Sequence, residues 1–242
     1  MVSALALCGR GPSLVAWATL IAVAAATRAS LVAAAAAAGE AGRTHDFSNY
    51  IEMQLLIAFV PTLIAGALMF FLARALIAPQ TGHAQPLYGR FLGLFVATRA
   101  IDRLIAGAGT AMIFLGMRTP FMTTYGSVMV GSLASIVTLP FLVRSLAAAA
   151  GASEPRLGGI TGFVFDEGRS IYAWYAAVSL LFPLVMVYAF ADILGPGTAN
   201  DLPGNLVQSA IIGTGGLLRY LLAIVAARWA IPGEQRLAET FA

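Results

Sequence analysis

The sequence predicts an all-α, polytopic integral membrane protein with six transmembrane helices. Three observations carry that prediction. Of the 242 residues, 60% are hydrophobic and 10% charged, with a mean hydropathy of +0.85, whereas a soluble domain is about 25% charged. The apolar residues collect into six runs, each long enough to reach the ~20 residues that carry a helix across a bilayer core. Those runs neither alternate in polarity nor match the ~10-residue strands of a membrane barrel. A soluble globular enzyme, a disordered chain and a disulfide scaffold are thereby excluded, the last also because Cys8 is the only cysteine. The connections are too short to house a soluble domain, so residues 1–242 are read as a single transmembrane helical domain.

The first run is Ser13–Ala38. Arg10 ahead of it and Ala24-Ala25-Ala26 within it resemble a secretory signal. The apolar stretch nevertheless continues to Ala38, interrupted by Arg28 and Ser30, which predicts a retained helix. Gly39-Glu40-Ala41-Gly42 opens the first connection. The second run, Ile51–Ile77, meets Pro79-Gln80-Thr81-Gly82, and proline has no N–H with which to extend a helix. The third and fourth, Phe91–Met117 and Phe121–Ala147, are parted by the tight Met117-Arg118-Thr119-Pro120. The longest connection, Gly151–Asp166, contains Pro155, Gly158 and Gly159. The fifth and sixth runs are Ile171–Leu194 and Leu206–Ile231, with Gly195-Pro196-Gly197 and Pro203-Gly204 between them.

Arginine sets the expected orientation. All fourteen basic residues are Arg. Eight flank one side of the runs (Arg10, Arg74, Arg90, Arg144, Arg156, Arg169, Arg228 and Arg236), against Arg43 and Arg118 on the other. The positive-inside rule then places both termini in the cytoplasm. An alanine- and arginine-rich chain without lysine fits a GC-rich genome, and a bacterial inner membrane is the expected setting. Tyr50, Tyr88, Tyr125, Tyr172, Trp174 and Trp229 fall near run ends, where amphipathic rings meet headgroups. Ala26-Thr27-Arg28-Ala29 recurs as Ala97-Thr98-Arg99-Ala100, and Arg74 and Arg144 share a similar spacing. Such a period would divide the chain into three helical hairpins.

Four arginines lie inside the runs: Arg28, Arg99, Arg103 and Arg219. A charge at the bilayer midplane costs about 2.5–3.5 kcal/mol on insertion scales, so these groups should face the bundle interior, water or one another. Arg99, Asp102 and Arg103 are spaced to meet on one helix side. One carboxylate among four guanidinium groups leaves surplus positive charge, suited to a carboxylate, a phosphate or a lipid headgroup, which a guanidinium binds as a planar fork. The candidate anion-binding residues are therefore Arg28, Arg99, Asp102, Arg103 and Arg219. The same residues could instead form a buried network that fixes helix register, or relay a proton or signal. Pro61, Pro140 and Pro183 interrupt runs two, four and five, and Gly107, Gly109, Gly213, Gly215 and Gly216 loosen runs three and six. Helices interrupted beside intramembrane charges are a feature of transporters, although both residue types are common in membrane helices. Ser127, Gly131 and Ser135, spaced by four, form a small-residue stripe expected at a helix contact, within the chain or with a partner.

Other chemistry finds no support. His45 and His83 lie in connections, with no Cys or second His at metal-ligand spacing, so no metal, haem or other cofactor is expected. There is no nucleophile elbow, P-loop or zinc-protease motif, hence no catalytic residue, and an enzyme is not the favoured reading. The absence of lysine excludes a Schiff-base retinal pigment. The scattered arginines do not make a nucleic-acid surface. Leu56-Ile57-Ala58 and the helix spacing give a faint similarity to the copper-binding membrane module of ethylene-receptor-type sensors. The Cys and His of that module have no counterpart in the third run, where Arg99 and Arg103 fall, and no family is assigned. The expectation is a small transport or translocation protein with an arginine-rich intramembrane site. The alternative is a non-catalytic membrane subunit or sensor module that binds a protein partner.

Overall fold

A computed structural model describes residues 6–40, 47–81, 84–116, 120–152, 169–191 and 202–231. The described residues form six long helices and contain no strand. They are α1 (Gly11–Glu40), α2 (Phe47–Leu76), α3 (Tyr88–Gly116), α4 (Pro120–Ala149), α5 (Arg169–Ala191) and α6 (Leu202–Ala230). A 3-10 turn, Ala78–Thr81, ends α2 where Pro79 removes a backbone donor. The described helices begin one to four residues before the apolar runs and end within three residues of them. At the start of α6, Pro203, read as part of the preceding connection, lies in the first turn. Proline fits there because the N–H it lacks would have no helical partner. α2 and α4 continue through Pro61 and Pro140.

Among the described residues, three helices hold windows long and apolar enough to cross a membrane: Phe59–Leu76, Met129–Ala149 and Leu206–Ala230. α1 has the shorter apolar stretch Gly11–Thr27. α3 is not among the three; its described side chains include Arg90, Arg99, Asp102 and Arg103. Large apolar side chains nevertheless face outward on every helix, among them Leu14, Phe59, Leu92, Val137, Leu181 and Ile212. A surface this apolar is far beyond the isolated patches that water tolerates.

Sequential helices pack in pairs, α3 against α4 most extensively, with α1–α2 and α5–α6 also in contact. α1 returns against α6 and closes the bundle. The described core lies toward the arginine-flanked ends. It joins Met69, Leu72 and Leu76 of α2, Phe91 and Phe95 of α3, Leu139 to Ala149 of α4, and Leu221 to Ala227 of α6. Leu87 N–H donates to Ala148 O at 3.0 Å, tying the start of α3 to the end of α4. α4 stops in a Schellman turn: Ala152 N–H reaches Ala147 O at 3.0 Å and Gly151 N–H reaches Ala148 O at 3.1 Å, with Gly151 at φ +79°.

Glycines of α6 serve close packing. A Cβ at Gly213 would lie 3.1 Å from the Ile21 backbone nitrogen, and one at Gly215 would lie 2.5 Å from the Phe182 ring. α1 and α5 thus press on neighbouring residues of one helix. Beside them, Trp17 Nε1 donates to Thr214 Oγ1 at 3.0 Å, whose own hydroxyl donates to Ala210 O at 2.7 Å.

Tyr88, Trp174 and Trp229 are exposed at the arginine-flanked ends of α3, α5 and α6. Tyr172 instead turns inward and donates its hydroxyl to Ile136 O at 3.3 Å. Tyr50 and Tyr125 lie outside the described side chains.

Candidate functional site

Arg99 is the centre of the polar interior. At about 1.5 Å per residue it stands roughly 16 Å into α3. Its Nη2 donates to Tyr220 Oη on α6 at 2.9 Å. Its Nη1 faces Asp102 Oδ2 at 3.7 Å, an ion pair too long to be a hydrogen bond. The guanidinium also lies over two rings, with Cζ 5.3 Å from the Phe95 centroid and 5.9 Å from that of Tyr220. The two charged side chains remain 26% and 18% exposed, so the pair sits at the margin of the packed interior.

Three further helices converge on it. Asp102 has Arg99, Arg219 and Arg103 as its charged neighbours and the Ser135 hydroxyl of α4 beside it. Tyr175 of α5, fully enclosed, is an electrostatic neighbour of Arg219, Arg99, Asp102 and Tyr220. Three guanidinium groups, those of Arg99, Arg219 and Arg103, therefore neighbour one interior carboxylate. Two atoms of the pair, Arg99 Nε and Asp102 Oδ1, are buried with no hydrogen-bond partner among the described residues. The arrangement places surplus positive charge beside a single carboxylate.

The five residues expected at the site are not equally placed. Arg99 and Asp102 pair across one helical turn. Arg219 approaches Asp102 from α6 and is half-buried. Arg103 faces out of the bundle. At about 100° per residue, the inward face of α3 is set by Phe91, Phe95, Thr98 and Asp102, and the residue after Asp102 turns off it. Arg28 lies on α1 about two turns beyond Ile21, which meets Gly213; its side chain is outside the described set. In the small-residue stripe, Ser135 donates to Gly131 O at 3.1 Å. Gly131 has open space where a Cβ would be, and the Ser127 side chain lies outside the described residues.

Sequence reasoning missed Tyr175, Tyr220 and Phe95. One signal was available for Tyr220: a phenol beside Arg219 in mid-run brings a polar atom into hydrocarbon, where it needs a partner. Phe95 and Tyr175 look like ordinary core residues until the helices are packed. Among the described residues no group of His, Cys, Asp and Glu could hold a metal ion.

No family model matches the chain, and no curated protein or solved structure matches it either.

Proposed function

We propose that this chain is a small transport or translocation protein of a bacterial inner membrane. It would span the bilayer six times, with both termini in the cytoplasm, and its Arg99–Asp102–Arg219 centre would engage an anionic solute or lipid headgroup. The observation that supports this reading is the charge balance at the centre. Arg99 and Arg219 approach one carboxylate at mid-helix depth, so a second anion would complete their neutralisation. Arg99 makes the primary contact, Asp102 and Tyr220 hold its orientation, and Arg219 completes the cradle.

The test is binding and flux in purified, reconstituted protein. Arg219→Ala should abolish binding of small organic anions while insertion and thermal unfolding stay near those of the parent chain. Unaltered binding would sink the reading.

The alternative, a membrane subunit or sensor that docks a partner, draws on a different observation. Arg103 is exposed on α3, and Gly131 on α4 leaves open space beside it. In that case Arg103→Ala would release a co-purifying membrane protein and leave anion binding unchanged.

A further inference from the structure

We infer that Asp102 takes up a proton when an anion occupies Arg99, so that the site loads an anion and a proton together. This rests on the anion-binding reading above and names its co-substrate.

The geometry leaves an incoming anion few ways to reach Arg99. Guanidinium donors point outward in the plane of the group, so an anion must approach along its edge. Nη2 gives one of its two N–H groups to Tyr220 Oη at 2.9 Å. Nε is buried, and Nη1 faces Asp102 across 3.7 Å. An anion that engages the edge of Nη1 turned toward Asp102 competes with that carboxylate. The existing pair contains no hydrogen bond, so exchange breaks no directed contact.

The displaced carboxylate then stands at mid-helix depth, its Oδ1 buried, without its first counter-ion. A buried carboxylate in that position neutralises itself rather than remain charged. The proton comes from water and binds Oδ1, the oxygen already buried without a partner. No other bond forms or breaks. One negative charge enters with the anion and one positive charge with the proton, so the net charge of the centre is unchanged. The groups facing Asp102 are Arg99 and Arg103 of its own helix, Ser135 of α4, Tyr175 of α5, and Arg219 of α6. Arg219 is the residue able to defeat the scheme: if it moved onto Asp102 as Arg99 left, no proton would be needed.

Methanesulfonate is a suitable probe, because the anion of a strong acid brings no proton of its own. Its binding to the detergent-purified chain is measured by calorimetry in two buffers of different ionisation enthalpy. About one proton taken up per anion is expected, with affinity rising about tenfold for each unit of falling pH. In Asp102→Asn, the binding that remains should occur with no proton uptake and a flat pH profile. Binding by the parent chain without proton uptake overturns the inference and leaves the anion site standing.

If methanesulfonate does not bind, the anion reading is what fails, and an infrared comparison still decides the proton step. Arg99→Gln mimics the withdrawn guanidinium. At neutral pH it should show a protonated-carboxyl band that is absent from both the parent chain and Arg99→Gln/Asp102→Asn. No such band means that Asp102 stays charged without Arg99, which overturns the inference without reference to any ligand.

Discussion

Arg99 and Tyr220 lie 121 positions apart in the chain, yet the Arg99 guanidinium donates to the Tyr220 hydroxyl at 2.9 Å and also rests over its ring. The phenol thus gives α6 two holds on the charge that α3 carries into the bundle. Tyr220→Phe keeps the ring contact and removes the hydrogen bond. A bond to a charged group contributes about 1.5–3 kcal/mol, and unfolding in detergent should show a loss near the lower end, because Arg99 remains partly exposed. An unchanged stability would mean that Tyr220 does not hold Arg99.

Gly151 should be among the least replaceable residues. It holds φ +79° at the end of α4, and a Cβ there would lie 2.6 Å from Gln85 O and 2.7 Å from Ala84 O. The left-handed conformation alone costs about 1–2 kcal/mol for an L-residue, and backbone oxygens cannot swing aside. Gly151→Ala should lower stability by at least ~2 kcal/mol, and thermal unfolding in detergent would register it. A fully stable variant would contradict the turn.

Two glycine substitutions of the same kind should behave in opposite ways. Gly215→Ala drives a methyl into the Phe182 ring, and overpacking of this sort costs about 1–3 kcal/mol. Gly131→Ala meets nothing within 4 Å and exchanges a poor helix former for the best, so it should be neutral or stabilising by up to ~1 kcal/mol. The contrast is read from the two unfolding midpoints.

Cys8, ahead of α1, reports both orientation and pH. Partial burial pushes its thiol above the usual range, so at a given pH less of it is the reactive thiolate. Labelling by a membrane-impermeant maleimide should be slow at neutral pH and should keep accelerating beyond the ordinary thiol titration. If the N-terminus is cytoplasmic, as proposed, it should occur in inside-out vesicles and fail in intact cells. The reverse pattern would overturn the proposed orientation.

The helices were legible because each apolar run is long, and each coincides with a described helix to within a few residues. The Arg99–Asp102 pair was legible because its partners share one helix, where spacing fixes geometry. Tyr220 and Tyr175 were not, since their roles depend on which faces of α5 and α6 meet α3, and periodicity within each run does not say. Arg103 shows the limit of spacing: it shares a flank with Arg99, but the packing of Phe91 and Phe95 decides which flank is inside. The glycines of α6 read as flexibility in one dimension and turn out to be contact surface in three.

The contact between Trp17 and Thr214 joins residues 197 positions apart. A ribosome adding ~5–20 residues per second would deliver the two about 10–40 s apart. Through that interval the Trp17 indole lacks this partner, and α1 cannot complete its contact with α6 until Gly213 and Thr214 arrive. Any chaperone or insertase that shepherds this chain has its task defined by that delay.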